Sequence, residues 1–317
     1  MLERLWPADS GTQEFFWCNT PDPRPDAEFL HFALVAEDPT GTLVGFARAD
    51  QSEYLIDPTR AWVVVNVLPQ FQRQGVGRAL YDGLLERLAA SQITTLQTSV
   101  RSDLPDLAAF FEGRGFTELR RGGPVLHLSL EAVKEFQIQD MGDRVAQAGI
   151  TIAPLAPGSV GGPPDERVAA LLNAWMAETH PVNLGYSEAR RLNSRTWHDA
   201  LYDEGMRPDL SFVATALDTL VGLCSAQKWT DTGGGLSIHP DLTAIASPWR
   251  GTPMGEDVAL ALKMHALKAA RDSGFREFRV QTNPQMPWIR QEYSRLPMTE
   301  EDCPFWRVLI YREHTGD

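Results

Sequence analysis

Gln72, Gly75 and Gly77 stand in the stretch "VVVNVLPQFQRQGVGRALYDGLLERL", Val63 to Leu88, and their types and spacing suit the capture of an anion. A helix that starts at the glycines leaves several backbone N–H groups without carbonyl partners, and glycine lets a ligand approach that backbone closely. A phosphate fits such a place. Two familiar phosphate motifs fail on the letters: a dinucleotide fingerprint needs glycine or alanine where Leu80 stands, and a P-loop needs Lys-Ser/Thr where Arg78-Ala79 follow Gly77.

The elements that must hold this turn can be read around it. Residues 62–68 are β-branched and apolar enough for a strand, Pro69 stops it, and Leu80, Leu84, Leu85 and Leu88 recur at helical spacing over 75–90. A hairpin with a Gly-containing turn precedes them from about Glu28. Downstream come a strand "ITTLQTSV", a helical stretch "LPDLAAFFEGRGF" ending at Gly115, and strands "FTELRR" and "VLHLSL". Hairpins mixed with strand–helix–strand crossovers predict an α/β domain of α+β character with a mixed sheet. From Ile150 a similar order repeats: a strand 150–155, a helix 165–179, a hairpin over 211–227, a strand near 242–246, a helix 255–273, a strand "EFRVQTN", a Pro-interrupted helix and a closing strand "WRVLIYRE". The expected organisation is two copies of one fold, residues 1–135 and 150–317, joined by a linker at 136–149.

Length and composition agree with this. At 317 residues two domains are the default, and 43% hydrophobic content supplies ordinary cores. The 42 acidic against 29 basic residues are spread over both halves, which disfavours nucleic acid as a partner. No stretch has the roughly 20 apolar residues that span a bilayer, and "MLERLWPADSG" has no signal core, so a cytoplasmic protein without a membrane partner is expected. Cys18, Cys224 and Cys303 lack metal-ligand spacing and read as free thiols, and no metal is expected.

With the sheet order, "VLPQFQRQGVG" and "AAFFEGRGF" together, residues 28–130 resemble the GNAT superfamily of acyl-CoA-dependent N-acetyltransferases. The second half resembles it more faintly, in the tandem arrangement of the mycothiol synthase type, with Arg250-Gly251 and Met254-Gly255 but Pro253 in place of the first motif glycine. The resemblance implies acetyl-CoA as cosubstrate and a small-molecule amine as acceptor. Residues Gln72, Arg73, Gln74, Gly75, Val76, Gly77 and Arg78 would wrap the pyrophosphate, Val65 and Val67 would pair with the pantetheine arm, and Phe110 would pack against it. It also implies that the Val67 backbone N–H polarises the thioester carbonyl. The family's tyrosine acid falls at Phe111, which offers no proton. Glu53, or Asp57, is the nearest carboxylate to serve as base. In the second half Glu178, His180 and Tyr186 gather where the family builds its acceptor pocket. Pro253 implies that this half binds the cofactor more weakly. The other readings are a noncatalytic acyl-CoA-binding or sensing protein, to which Phe111 and Pro253 point, and a nucleotide-binding kinase or NTPase, which the missing Lys-Ser/Thr pair disfavours.

Overall fold

The computed structural model describes residues 30–52, 55–133, 135–155, 166–184, 188–189, 191–202, 206–228, 236–282, 293–301 and 306–312. The chain forms two compact units. Unit 1 comprises Met1–Gly123 with Pro304–Asp317, and unit 2 comprises Pro124–Cys303.

In unit 1 the strands are β1 (His31–Glu37), β2 (Leu43–Asp50), the two-residue β3 (Leu55–Ile56), β4 (Arg60–Val67), β5 (Thr95–Arg101) and β6 (Thr117–Arg121). Helix α1 (Val76–Leu88) follows β4 and α2 (Pro105–Glu112) follows β5. Unit 2 contains β7 (Val125–Ser129), α3 (Glu135–Gln147), β8 (Ile150–Pro154), α4 (Glu166–Leu184), β9 (Glu188–Ala189), α5 (Ser194–Leu201), β10 (Phe212–Ala216), β11 (Thr219–Lys228), β12 (Leu236–Ile245), α6 (Pro253–Asp272), β13 (Glu277–Gln281) and β14 (Thr299–Glu301). The last strand, β15 (Trp306–Arg312), returns to unit 1. Helix α5 was not evident from the sequence, and the Pro-interrupted helix expected after β13 lies mostly outside the described residues.

The unit 1 sheet has the order β1-β2-β4-β5-β15-β6, and the unit 2 sheet runs β14-β7-β13-β12-β11-β10-β8. Both are mixed, with one parallel contact each, β4 with β5 and β12 with β13. The two sheets have exchanged a strand. β15 pairs antiparallel with β5 and β6, whereas β7 takes the equivalent place between β13 and β14. The expected division is corrected accordingly: residues 136–149 are not a linker but largely the helix α3, and the closing strand belongs to the first sheet. Periodicity could not reveal this, because "VLHLS" and "WRVLIYR" both alternate as half-buried strands and neither pattern names its neighbour.

The core of unit 1 lies on one face of its sheet. Ala47, Ala49, Ala61, Val63 and Val65 from the strands meet Leu80, Tyr81, Leu84 and Leu88 of α1 and Ala108 and Phe111 of α2. A fully buried leucine such as Leu84 contributes about 1.5–3 kcal/mol by leaving water, so this stripe fixes α1 against β2 and β4. In unit 2, α6 is buried along nearly its whole length, with Val258, Leu262, Ala266, Leu267 and Ala270 in a core shared with β11, β13 and α3.

Candidate active site

β4 and β5 part company. Their parallel register runs Arg60↔Thr95, Ala61↔Leu96 and Trp62↔Gln97 and then stops, although β4 continues to Val67 and β5 to Arg101. The edge of β4 from Val63 to Val67 is therefore open toward β5 among the described residues. Within a strand, one residue turns its N–H and C=O to one edge and the next residue to the other. Leu68 donates its N–H to the Val44 carbonyl on the β2 side at 2.9 Å, so Val67 and Val65 turn theirs to the open edge. The Gln72 amide donates to the Val67 carbonyl at 2.9 Å, bracing the loop against this edge.

The opening is a cleft of about 730 Å³ whose floor is β4 and whose rims are the loop before α1 and the start of α2. On the loop side, Gly75 is the N-cap of α1 with φ 88°, and no side chain caps the helix. None of the backbone N–H groups of residues 73–78 finds an acceptor among the described residues. Such a run of free donors at a helix start is an anion site. A Cβ on Gly77 would approach Val67, Phe110 and Val65 at 3.5, 3.6 and 3.9 Å, ordinary contacts, so the fold itself does not require glycine there. Arg73, with φ 60°, pairs with Asp106 at 2.7 Å, and both are more than three-quarters exposed; Arg78 reaches Asp82 at 3.6 Å. Exposed pairs of this kind contribute little, so both guanidiniums are available to a phosphate.

On the other side, α2 divides its aromatics. Phe110 lines the cleft with the Arg114 guanidinium carbon 3.6 Å from its ring centroid, while Arg114 donates to the Phe110 carbonyl at 2.8 Å. Phe111 is 1% exposed and packs edge-on to Phe110 and against Phe116, with ring centroids 5.2 and 5.0 Å away. The acid slot expected at Phe111 thus faces the core and not the cleft; the helical turn presents 107, 110 and 114 to the opening and 108 and 111 to the sheet. Tyr81 belongs to the same aromatic group, and burial pushes its phenol up to about 12.

Of the residues expected to hold the cofactor, Val65, Val67, Gln72, Arg73, Gly75, Gly77, Arg78 and Phe110 line this one cleft; Gln74 and Val76 do not, Gln74 donating instead to the Gln70 carbonyl at 2.8 Å. Glu53 lies outside the described residues. Asp57 is engaged locally, accepting from Thr59 Oγ1 at 2.7 Å and pairing with Arg60 at 3.1 Å. Sequence reasoning missed Asn66, Arg101, Asp103 and Arg114, all cleft-lining. Asn66 alone carried a signal, an amide within an otherwise apolar strand. Hydrogen bonding from Arg101 to Asp103 holds that carboxyl below its ordinary value, so it stays ionised and is a weak proton acceptor.

The corresponding place in unit 2 is built shut. Thr252 caps α6, its Oγ1 accepting from Gly255 N–H at 3.0 Å and donating to the Trp249 carbonyl at 2.6 Å. A Cβ on Gly255 would sit 1.9 Å from the Trp249 carbonyl oxygen. Arg250 is committed to the Ile245 carbonyl at 2.8 Å and to Glu178, which also accepts from Ser247 at 2.5 Å. Glu178 is therefore a structural partner; the side chains of His180 and Tyr186 lie outside the described residues.

The unit 1 sheet thus opens between two parallel strands beside an uncapped, glycine-bearing helix start. The acetyltransferase (GNAT) family model matches residues 2–116. Solved structures share the fold over most of the chain. A GCN5-related N-acetyltransferase from Sphaerobacter thermophilus is 21% identical with a TM-score of 0.53, covering 90% of this chain and 82% of that one. A tandem GNAT protein from the clavulanic acid biosynthesis pathway, described without AcCoA, is 18% identical with a TM-score of 0.59, covering 92% and 85%. A glucosamine N-acetyltransferase region of a fungal multi-domain GH3 β-N-acetylglucosaminidase, also 18% identical with a TM-score of 0.59, matches 89% of this chain and 33% of that one. No curated protein matches in sequence. The two units are accordingly GNAT-like folds in tandem. Among the described residues no helix is long and apolar enough to cross a membrane.

Proposed function

We propose that the protein is an acetyl-CoA-dependent N-acetyltransferase that works in unit 1 on the amine of a small molecule, in the cytoplasm. The observation that carries this reading is the conjunction of the parted β4/β5 edge with the run of free N–H groups at residues 73–78. Those N–H groups, with Arg73 and Arg78, would hold the pyrophosphate of acetyl-CoA by charge-assisted hydrogen bonds. The Val65 and Val67 backbone would pair with the pantetheine arm as a surrogate strand, with Phe110 packed beside it. Bound there, acetyl-CoA supplies an acetyl group activated as a thioester.

The chain's own part is positional and electrostatic. Val67 N–H would donate to the thioester oxygen as charge builds on it, a type of contact worth roughly a hundred- to a thousandfold in rate. The amine nitrogen forms a bond to the carbonyl carbon, the C–S bond breaks, and one amine proton is released while the sulfur leaves with the electron pair. A thiol of pKa about 8.5 leaves without an obligatory acid, which accommodates the lack of a hydroxyl at Phe110 and Phe111. The same lack favours the second reading, an acyl-CoA sensor without turnover.

Calorimetry with acetyl-CoA and thiol release across a panel of small amines separate the two. One acetyl-CoA per chain with amine-dependent thiol release is expected. Binding without release under any amine would leave the sensor, and no binding would remove both.

A further inference from the structure

Asn66 is a buried amide with no partner. It is 6% exposed, its Nδ2 is shut away from water without an acceptor, and it lines the cleft between β4 and β5. Gln97 on β5 also has an unmatched Nε2, but it is fully buried and does not line the cleft, its oxygen accepting from Arg60; Arg101, which does line it, is bound to Asp103. A buried donor left unmatched costs about 1–3 kcal/mol, a cost that a ligand can relieve.

The side of the sheet on which Asn66 stands gives the ligand's identity. Ala61, Val63 and Val65 point into the core beneath α1 and α2, so strand alternation sends Asn66 to the opposite face. On β5, Leu96 and Val100 share that core, and Arg101 turns away with Asn66. The free N–H groups of the α1 start lie on the helical side. A cofactor seated there and threaded through the gap leaves the Asn66 side for the second substrate.

We infer that Asn66 is the acceptor-binding residue of the cleft, and that its carboxamide donates to an oxygen atom carried near the reactive amine. The acceptor class is therefore an oxygen-bearing amine, such as an amino sugar, amino alcohol or amino acid derivative, in preference to a plain alkylamine or polyamine. This rests on the N-acetyltransferase reading. The Asn66 group reads chemistry and not charge: a carboxamide rejects an analogue lacking the oxygen because its own donor is then left buried and unpaired. The Arg101–Asp103 pair beside it is internally neutralised and leaves that discrimination to the amide.

The test uses the full chain and matched amine pairs, serinol against isopropylamine and glucosamine against cyclohexylamine, in parent, Asn66→Leu and Asn66→Asp proteins. In the parent, kcat/KM for the oxygen-bearing member is expected to exceed that of its partner by about tenfold or more. Asn66→Leu should bring the ratio to within about twofold, leave the acetyl-CoA Kd unchanged, and leave Tm unchanged or raised, since it removes an unmatched donor. Asn66→Asp, which keeps the shape and loses the donor, should lose the ratio as well and guards against misfolding of the leucine variant. A parent without the preference, or variants that retain it, would overturn the assignment while acetyl-CoA-dependent turnover stands. Acetyl-CoA binding without turnover of any of the four amines would also overturn it. Absence of acetyl-CoA binding in the parent would instead bring down the reading on which it rests.

Discussion

Helices α1 and α6 occupy equivalent places in the two units, each following a strand that has parted from its parallel neighbour, and each has a glycine in its first turn. Their starts are opposites. α1 begins at an uncapped glycine beside a cleft, with no acceptor among the described residues for the N–H groups of residues 73–78, while α6 begins at a threonine cap whose hydroxyl holds the Gly255 N–H and bonds to the Trp249 carbonyl, which leaves no room for a Cβ on Gly255. The first start is unsatisfied by the protein and so can be satisfied by a ligand; the second has already been satisfied from within. Glycine is therefore dispensable to the fold at position 77, which would accept a side chain, and required by it at position 255, which would not.

The sharpest way to break this contrast is to add one methyl group to each glycine. Gly255→Ala forces a Cβ onto a backbone carbonyl oxygen and should lower stability by about 3 kcal/mol, measured by urea unfolding. Gly77→Ala should leave stability unchanged or slightly higher, because alanine favours a helix interior, yet weaken acetyl-CoA by roughly ten- to a hundredfold in calorimetry, about 1.4–2.7 kcal/mol. If both behave alike, the two starts are not different in kind. Next in size is the aromatic pair on α2. Phe111→Tyr should cost about 1–3 kcal/mol of stability by burying a hydroxyl among Tyr81, Phe110 and Phe116, whereas Phe110→Tyr puts its hydroxyl at the cleft and should be near neutral in stability while changing kcat. Thr252→Ala tests whether the cap is all that closes unit 2. It should cost about 1 kcal/mol, and the stoichiometry should remain one acetyl-CoA per chain, since the Trp249 carbonyl and Pro253 remain; a second binding event would refute the closed start. The last effect expected is alkaline. Tyr81 is neutral in the fold with a phenol pKa of about 12 against an ordinary 10.0, so its contribution is constant below pH 10 and is lost as pH rises from 10 to 12. Urea midpoints at pH 9 and 11 should differ by less in Tyr81→Phe than in the parent.

Much of the site was legible because it is local. The proline stop after the strand, the leucine stripe of α1 and the glycine turn are all decided within one short stretch, and the strand and helix formed where the spacing placed them. What escaped was non-local. The Thr252 cap and the Trp249 carbonyl turn a motif-like sequence into a closed turn through contacts that letters do not encode; Pro253 drew attention, but it fits an N1 position and does not close the site by itself. Which of Phe110 and Phe111 faces the cleft depends on the rotation of α2 against β5, and two adjacent phenylalanines give no clue to it. Asn66 was passed over because one amide in a strand has meaning only once the neighbouring strand is known to have moved away.

The strand exchange also sets an order of events during synthesis. β15 is translated after all of unit 2, so the slot between β5 and β6 stays empty while unit 2 is made. At ribosomal rates of 5–20 residues per second that wait lasts roughly 10–40 s, far longer than hairpins and helices need to form. During it, unit 1 exposes two unpaired strand edges, the surfaces most prone to join another nascent chain. β7, by contrast, leaves the ribosome before either strand it will lie between, and must wait unpaired for β13 and β14. Unit 2 has all its strands once β14 is made, so it can mature while the first sheet still lacks β15, and the sheet begun first is completed last. Polysomes from which every nascent chain retains less than β15 should carry no acetyl-CoA binding, however much of residues 1–303 they display.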